Sequence, residues 1–166
     1  MKKLSMLICL LLFFTGIKAQ DIKLPTTNDI KKAEQTVQTE AAKVTNQANI
    51  GQLIGQLTSG ISDGAFTDAF KKNKGSFLGK ANNIKDAAGA SSAIQSLQGG
   101  LLPTAMDAGW SKVKTKWIKD AKMAKTVKSV AGVAEQLESN ISDKFFKPDW
   151  LKARPAWQAA LSAISK

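Results

Sequence analysis

Bulky apolar residues return along this chain at intervals of 40 positions. Phe70, Trp110 and Trp150 form one series, and Phe77, Trp117 and Trp157 a second. Leu57, Leu97 and Leu137, then Ile61, Leu101 and Ile141, then Phe66, Met106 and Phe146 complete the pattern. A fixed period of this length marks a supersecondary unit that cannot bury its apolar face alone and so must stack on its neighbours. Within the period the spacing is helical. Ala, Lys, Gln and Leu, which favour helix, are plentiful, and no segment sustains the alternation of a strand.

The punctuation recurs at the same interval. Gly60, Gly100 and Asn140 share one position and predict a left-handed helix C-terminus. Ser62 and Ser142, each followed by an aspartate, and Leu102 followed by Pro103, predict a new helix near residues 63, 103 and 143. Gly75 and Pro155 predict a second break, which would put Trp150 and Trp157 on different helices, whereas Thr115 permits an unbroken helix. A weaker break is expected near Asn49, Gly89 and Ser129. The expected fold is all-α, a compact bundle of short helices built from tandem repeats of about 40 residues. The units fall at about 28–60, 61–100, 101–140 and 141–166 of a single domain. The first unit is partial, with Ile30, Val37, Ala41, Val44, Leu53, Ile54 and Leu57 on one helical face behind an Asn28-Asp29 cap.

The N-terminus alters this picture. Lys2 and Lys3 precede a short apolar run, Leu4 to Phe14, which ends in Ile17-Lys18-Ala19. That order describes a secretory signal peptide over residues 1–19, cleaved after Ala19, and the run is too short to span a bilayer. Residues 20–27 read as a flexible leader. The expected location is periplasmic or extracellular, with no transmembrane span after signal removal. Cys9, the one cysteine, lies within the signal, and the chain has no histidine and no tyrosine. A disulfide framework, the usual zinc sites, and nucleophiles activated by histidine are thereby excluded. No metal or cofactor is expected.

Charge is the remaining signal. The net charge is +11, and loss of Lys2, Lys3 and Lys18 leaves 21 basic residues against 13 acidic ones, or +8. Residues 110–128 alone hold Lys112, Lys114, Lys116, Lys119, Lys122, Lys125 and Lys128 against Asp120. Trp110, Val113, Trp117, Ala121 and Ala124 form the apolar stripe of the same helix. One reading is a face that meets polyanions: an anionic polysaccharide, a lipid surface, nucleic acid or an acidic protein. The other is a core helix whose outer side is merely solvated by lysines. Arg154 is the one arginine, so repeated bidentate grip of phosphate or carboxylate is excluded.

A cation also stands between the two aromatics of each full unit: Lys74, Lys114 and Arg154. Trp110, Trp117, Trp150, Arg154 and Trp157 could then grip a sugar or a carboxylate, or the cation could simply cover buried rings. Ile61-Ser62-Asp63 and Ile141-Ser142-Asp143 read as caps rather than nucleophiles, because no base stands beside the serine. Glu135 and Glu138, one turn apart on an expected solvent face, are the carboxylate pair for acid–base work. Gly51 and Gly55 permit close helix approach, a motif that carries meaning chiefly within membranes. The sequence thus points to a binding or structural protein and not an enzyme. The alternative is a carboxylate-dependent enzyme acting on glycans.

Overall fold

The structure, a computed structural model, describes residues 50–164, all within the compact unit 38–166. The signal segment, the leader and the first part of the first unit lie outside the described residues. Helix α1 occupies 50–60, followed by α2 (Asp68–Ala81), α3 (Ala87–Gly100), α4 (Trp110–Met123), α5 (Val127–Ser139) and α6 (Pro148–Ile164). Short 3-10 turns, Asp63–Ala65, Pro103–Ala105 and Asp143–Phe145, sit before α2, α4 and α6. The expected all-α class holds, and among the described residues strand pairing is confined to three isolated bridges.

The inner helices α1, α3 and α5 carry the apolar stripes. Ile50, Ile54 and Leu57, then Ala90, Ile94 and Leu97, then Val130, Ala134 and Leu137 are fully closed to solvent. Their i, i+4, i+7 spacing puts each trio on one face, and burying each Leu or Ile contributes about 1.5–3 kcal/mol. The outer helices α2, α4 and α6 reach the core through fewer, larger anchors. Trp110 and Trp117 on α4, and Trp150 and Trp157 on α6, are buried, while Phe70 and Phe77 on α2 pack partly buried against the same cluster.

The three 3-10 turns bond to one another in a closed cycle. Leu102 N–H donates to the Ala65 carbonyl and Thr67 N–H to that of Gly100. Ser142 N–H donates to Ala105 and Asp107 N–H to Asn140. Ser62 N–H donates to Phe145 and Lys147 N–H to Gly60, which joins the first turn to the last. All six bonds lie between 2.8 and 3.0 Å.

Several sequence expectations are corrected. No residue described has positive φ, so Gly60 and Gly100 are not left-handed caps, and Asn140 sits at φ −103°, ψ 4°. The glycines are needed for room. A Cβ on Gly60 would lie 2.3 Å from the Trp150 ring, and one on Gly100 would lie 2.2 Å from the Phe70 ring. Gly51 likewise lets α1 approach the end of α2, since a Cβ there would lie 2.4 Å from the Ala81 carbonyl oxygen. The starts expected near 63, 103 and 143 are 3-10 turns, and the α-helices begin beyond them. Ser62 makes no cap bond, and its hydroxyl donates instead to the Phe145 carbonyl.

The second break is absent too. Helix α2 runs through Gly75 and α6 runs through Pro155, so Trp150 and Trp157 share a helix. The aromatics on each side of these residues, tilted in α2 and edge to face in α6, pack on the core and outweigh the low propensity. Pro155 leaves the Leu151 carbonyl without its helical donor, and both residues are exposed. The true interruptions precede Gly89 and Ser129. Asp86 caps α3 by accepting from Gly89 N–H, and Thr126 with Ser129 forms a capping box on α5.

Candidate functional site

Helix α4 is anchored from within. Trp110 and Trp117 meet edge to face at 5.6 Å, and Trp117 Nε1 donates to the Val133 carbonyl of α5 at 2.9 Å. With that side fixed, the remainder of the helix is turned to solvent. Lys112, Lys114, Lys116, Lys119 and Lys122 on α4, Lys125 in the following link and Lys128 on α5 are all exposed. Among the described residues only Lys116 has an acid partner, Asp120 one turn along. Val113, expected in the apolar stripe, is 40% exposed, and Met123 is 65% exposed.

The aromatic–basic positions fall elsewhere. Trp150 and Trp157 pack edge to face at 5.5 Å within the core. The cations do not lie on these helix pairs. Lys74 lies over Phe66 and Arg154 over Phe146, each 4.7 Å from the ring centroid. Lys74 Nζ is 2.7 Å from Asp63, and Arg154 Nη2 is 2.8 Å from Asp143. The Lys74 charge holds the exposed Asp63 carboxyl below its ordinary value, through their hydrogen bond first and through-space attraction second. Forty residues on from Asp63 and Phe66 stand Pro103 and Met106. Among the described residues Lys114 therefore meets neither acid nor ring.

Glu138 departs from its expected place. It is not on a solvent face but 1% exposed, whereas Glu135 is exposed. Arg154 Nε lies 2.6 Å from Glu138 Oε1, out of line for a straight hydrogen bond, and Gln158 approaches Oε2 at 3.5 Å. Burial pushes the Glu138 carboxyl above its ordinary value, with the Arg154 charge opposing that rise. Sequence reasoning missed this residue because its partner lies sixteen positions on, at a place that lysine fills 40 and 80 residues earlier.

Two grooves stand apart from the lysine face. One, of about 820 Å³, lies between α1 and α6 over Leu53, Gly60, Trp150 and Trp157, and Asp149 is its one carboxylate. The second, of about 450 Å³, lies between α2 and α3, with Asp86 as its one carboxylate. Glu138 lines neither. Among the described residues no cluster of three or more metal-ligating side chains occurs, and no helix is long and apolar enough to cross a membrane. Comparison of the chain with protein-family models, with curated proteins and with solved structures gives no match.

Proposed function

We propose that this chain is an exported, non-enzymatic binding protein, built from tandem units of about 40 residues, that docks its α4 lysine face on an anionic surface. The repeated aromatic anchors and the cycle of turn bonds support the tandem construction. The signal-like N-terminus supports export. The observation that carries the docking reading is the set of exposed lysines along 112–128, of which, among the described residues, Lys116 alone is neutralised by a neighbour.

Comparison across the units strengthens it. At intervals of 40, Lys116 corresponds to Ser76 and Ala156, Lys119 to Gly79 and Ala159, and Lys122 to Asn82 and Ser162. Small uncharged residues stand at these three positions on α6 and on or just beyond α2, so the fold does not require these three charges, whereas Lys112 and Lys114 have cationic counterparts at Lys72, Lys152, Lys74 and Arg154. Lys116 is offset by Asp120 and Lys122 meets the negative end of the helix, but the three lysines repel one another at i, i+3 spacing. A charge cluster that folding does not need is the signature of a docking field.

The reading is tested by binding to an immobilised sulfated polysaccharide at rising ionic strength. Retention should fall steeply with salt, because exposed charges are screened over about 10 Å at 0.1 M. Replacing Lys116, Lys119 and Lys122 with glutamine should abolish retention without altering the fold. Retention that survives high salt and the triple replacement overturns the proposal.

A further inference from the structure

We infer that the anionic surface is a lipid bilayer, with Met123 entering the headgroup boundary; this rests on the docking reading above. At 100° per residue, Lys112, Lys116, Lys119 and Met123 lie at i, i+4, i+7 and i+11, a single stripe along α4. The stripe lies opposite Trp117 and Ala121, which are buried. It spans about 16 Å at 1.5 Å per residue. Lys122, also exposed, flanks it. A large apolar side chain held 65% exposed among four lysines is not placed there by packing.

The shape and chemistry of the face select among anions. Neither of the two grooves described above includes any residue of 112–128, so neither offers a polymer chain a cleft beside these lysines. Single-stranded nucleic acid is held by aromatic platforms on which bases stack. The aromatics of α4 are Trp110 and Trp117, both buried against α5 and the core, so none is presented. The stripe holds no arginine, which removes the planar fork that selects an individual phosphate or carboxylate. Lysine point charges on a convex helix suit a flat surface of many diffuse negative charges, each lysine adding to the attraction. An unbranched, pliable thioether suits insertion between headgroups, as on helices that lie in the interfacial plane.

The test is co-sedimentation of the full chain with vesicles of phosphatidylcholine alone and of phosphatidylcholine mixed with phosphatidylglycerol. Binding is expected only to the mixed vesicles. Lys112→Gln and Lys119→Gln should each weaken it by about fivefold. Met123→Gln should weaken it several-fold and Met123→Trp should strengthen it several-fold, with all four variants keeping the helical circular dichroism and the urea midpoint of the folded chain. Retention on a sulfated polysaccharide should be insensitive to both Met123 variants. Polysaccharide binding without vesicle binding overturns the lipid inference and leaves the docking reading standing, whereas binding to neither overturns both. Vesicle binding unchanged by Met123→Gln and Met123→Trp also overturns the inference.

Discussion

Trp157 donates its indole N–H to the Leu53 carbonyl at 2.8 Å, across 104 residues of sequence. Trp117 makes the same bond to Val133, only 16 residues away, and Val133 stands two intervals of 40 beyond Leu53. The last helix thus treats the first inner helix as though it followed in the chain. Together with Ser62 and Lys147, which bond the first turn to the last, this bond closes the arrangement.

The closing contact gives a paired prediction. Trp157→Ala should lower stability by about 3–5 kcal/mol, as for large aromatics removed from cores. Trp157→Phe keeps most of the packing and should cost about 1 kcal/mol for the lost hydrogen bond. Trp150 is also buried, but among the described residues its indole N–H has no partner. Trp150→Phe should therefore be neutral or slightly stabilising. Urea denaturation of the three variants, followed by circular dichroism, checks the order. Equal losses for the two phenylalanine variants would show that the Leu53 bond contributes nothing.

At Gly100 the prediction turns on space rather than backbone conformation. Gly100→Ala places a methyl group against the Phe70 ring and should destabilise by about 1–3 kcal/mol, the usual range for overpacking. Phe70→Leu should cost stability alone yet relieve part of the Gly100→Ala loss. A double-mutant cycle reads that coupling. Additive losses would mean that the ring does not press on residue 100. Asn140, 40 residues beyond Gly100, holds a Cβ, and helix α4 begins at Trp110, two residues later than an interval of 40 from the start of α2.

These glycines show where sequence was informative and where it was not. The core was legible because Leu57, Leu97 and Leu137 must recur if each unit buries the same face. Their role does not depend on distant partners. Glycine at 60 and 100 was equally legible as special, but its cause was not, because the ring over Gly60 belongs to a residue 90 positions away. Gly75 and Pro155 were misread for the opposite reason. Their local propensities oppose helix, while the aromatics on both sides hold the helix through them. The charge on α4 was plain in sequence. That almost none of it is paired, and that Met123 stands among it, follows only from which side of α4 faces the core.

Pro155 gives a prediction of unusual sign. A proline inside a helix costs about 3 kcal/mol or more relative to alanine. Residue 155 is exposed, so alanine there meets no neighbour and restores the bond to the Leu151 carbonyl. Pro155→Ala should raise stability by about 1–3 kcal/mol, read as a higher urea midpoint with an unchanged slope. A lower midpoint would mean that α6 depends on a bend at this position.

The carboxyls Glu138 and Asp63 should give stability opposite dependences on pH. Glu138 is shifted up in the fold by desolvation, against an ordinary value of 4.5. The folded state therefore binds more protons than the unfolded chain between 4.5 and the raised folded value. Its contribution is fully present below 4.5 and is lost as pH rises through the folded value. Asp63 is shifted down by Lys74 from its ordinary 3.8. Its contribution is present above 3.8 and is lost as pH falls through the folded value. Glu138→Gln should remove the decline in stability on the alkaline side of 4.5, leaving Arg154 its bond to Asp143. Asp63→Asn should blunt only the loss in more acidic solution, and weakly, because that pair is exposed. Urea midpoints measured across the acidic range separate the two. Were Glu138→Gln to leave the pH profile unchanged, the buried carboxyl would not be titrating with folding.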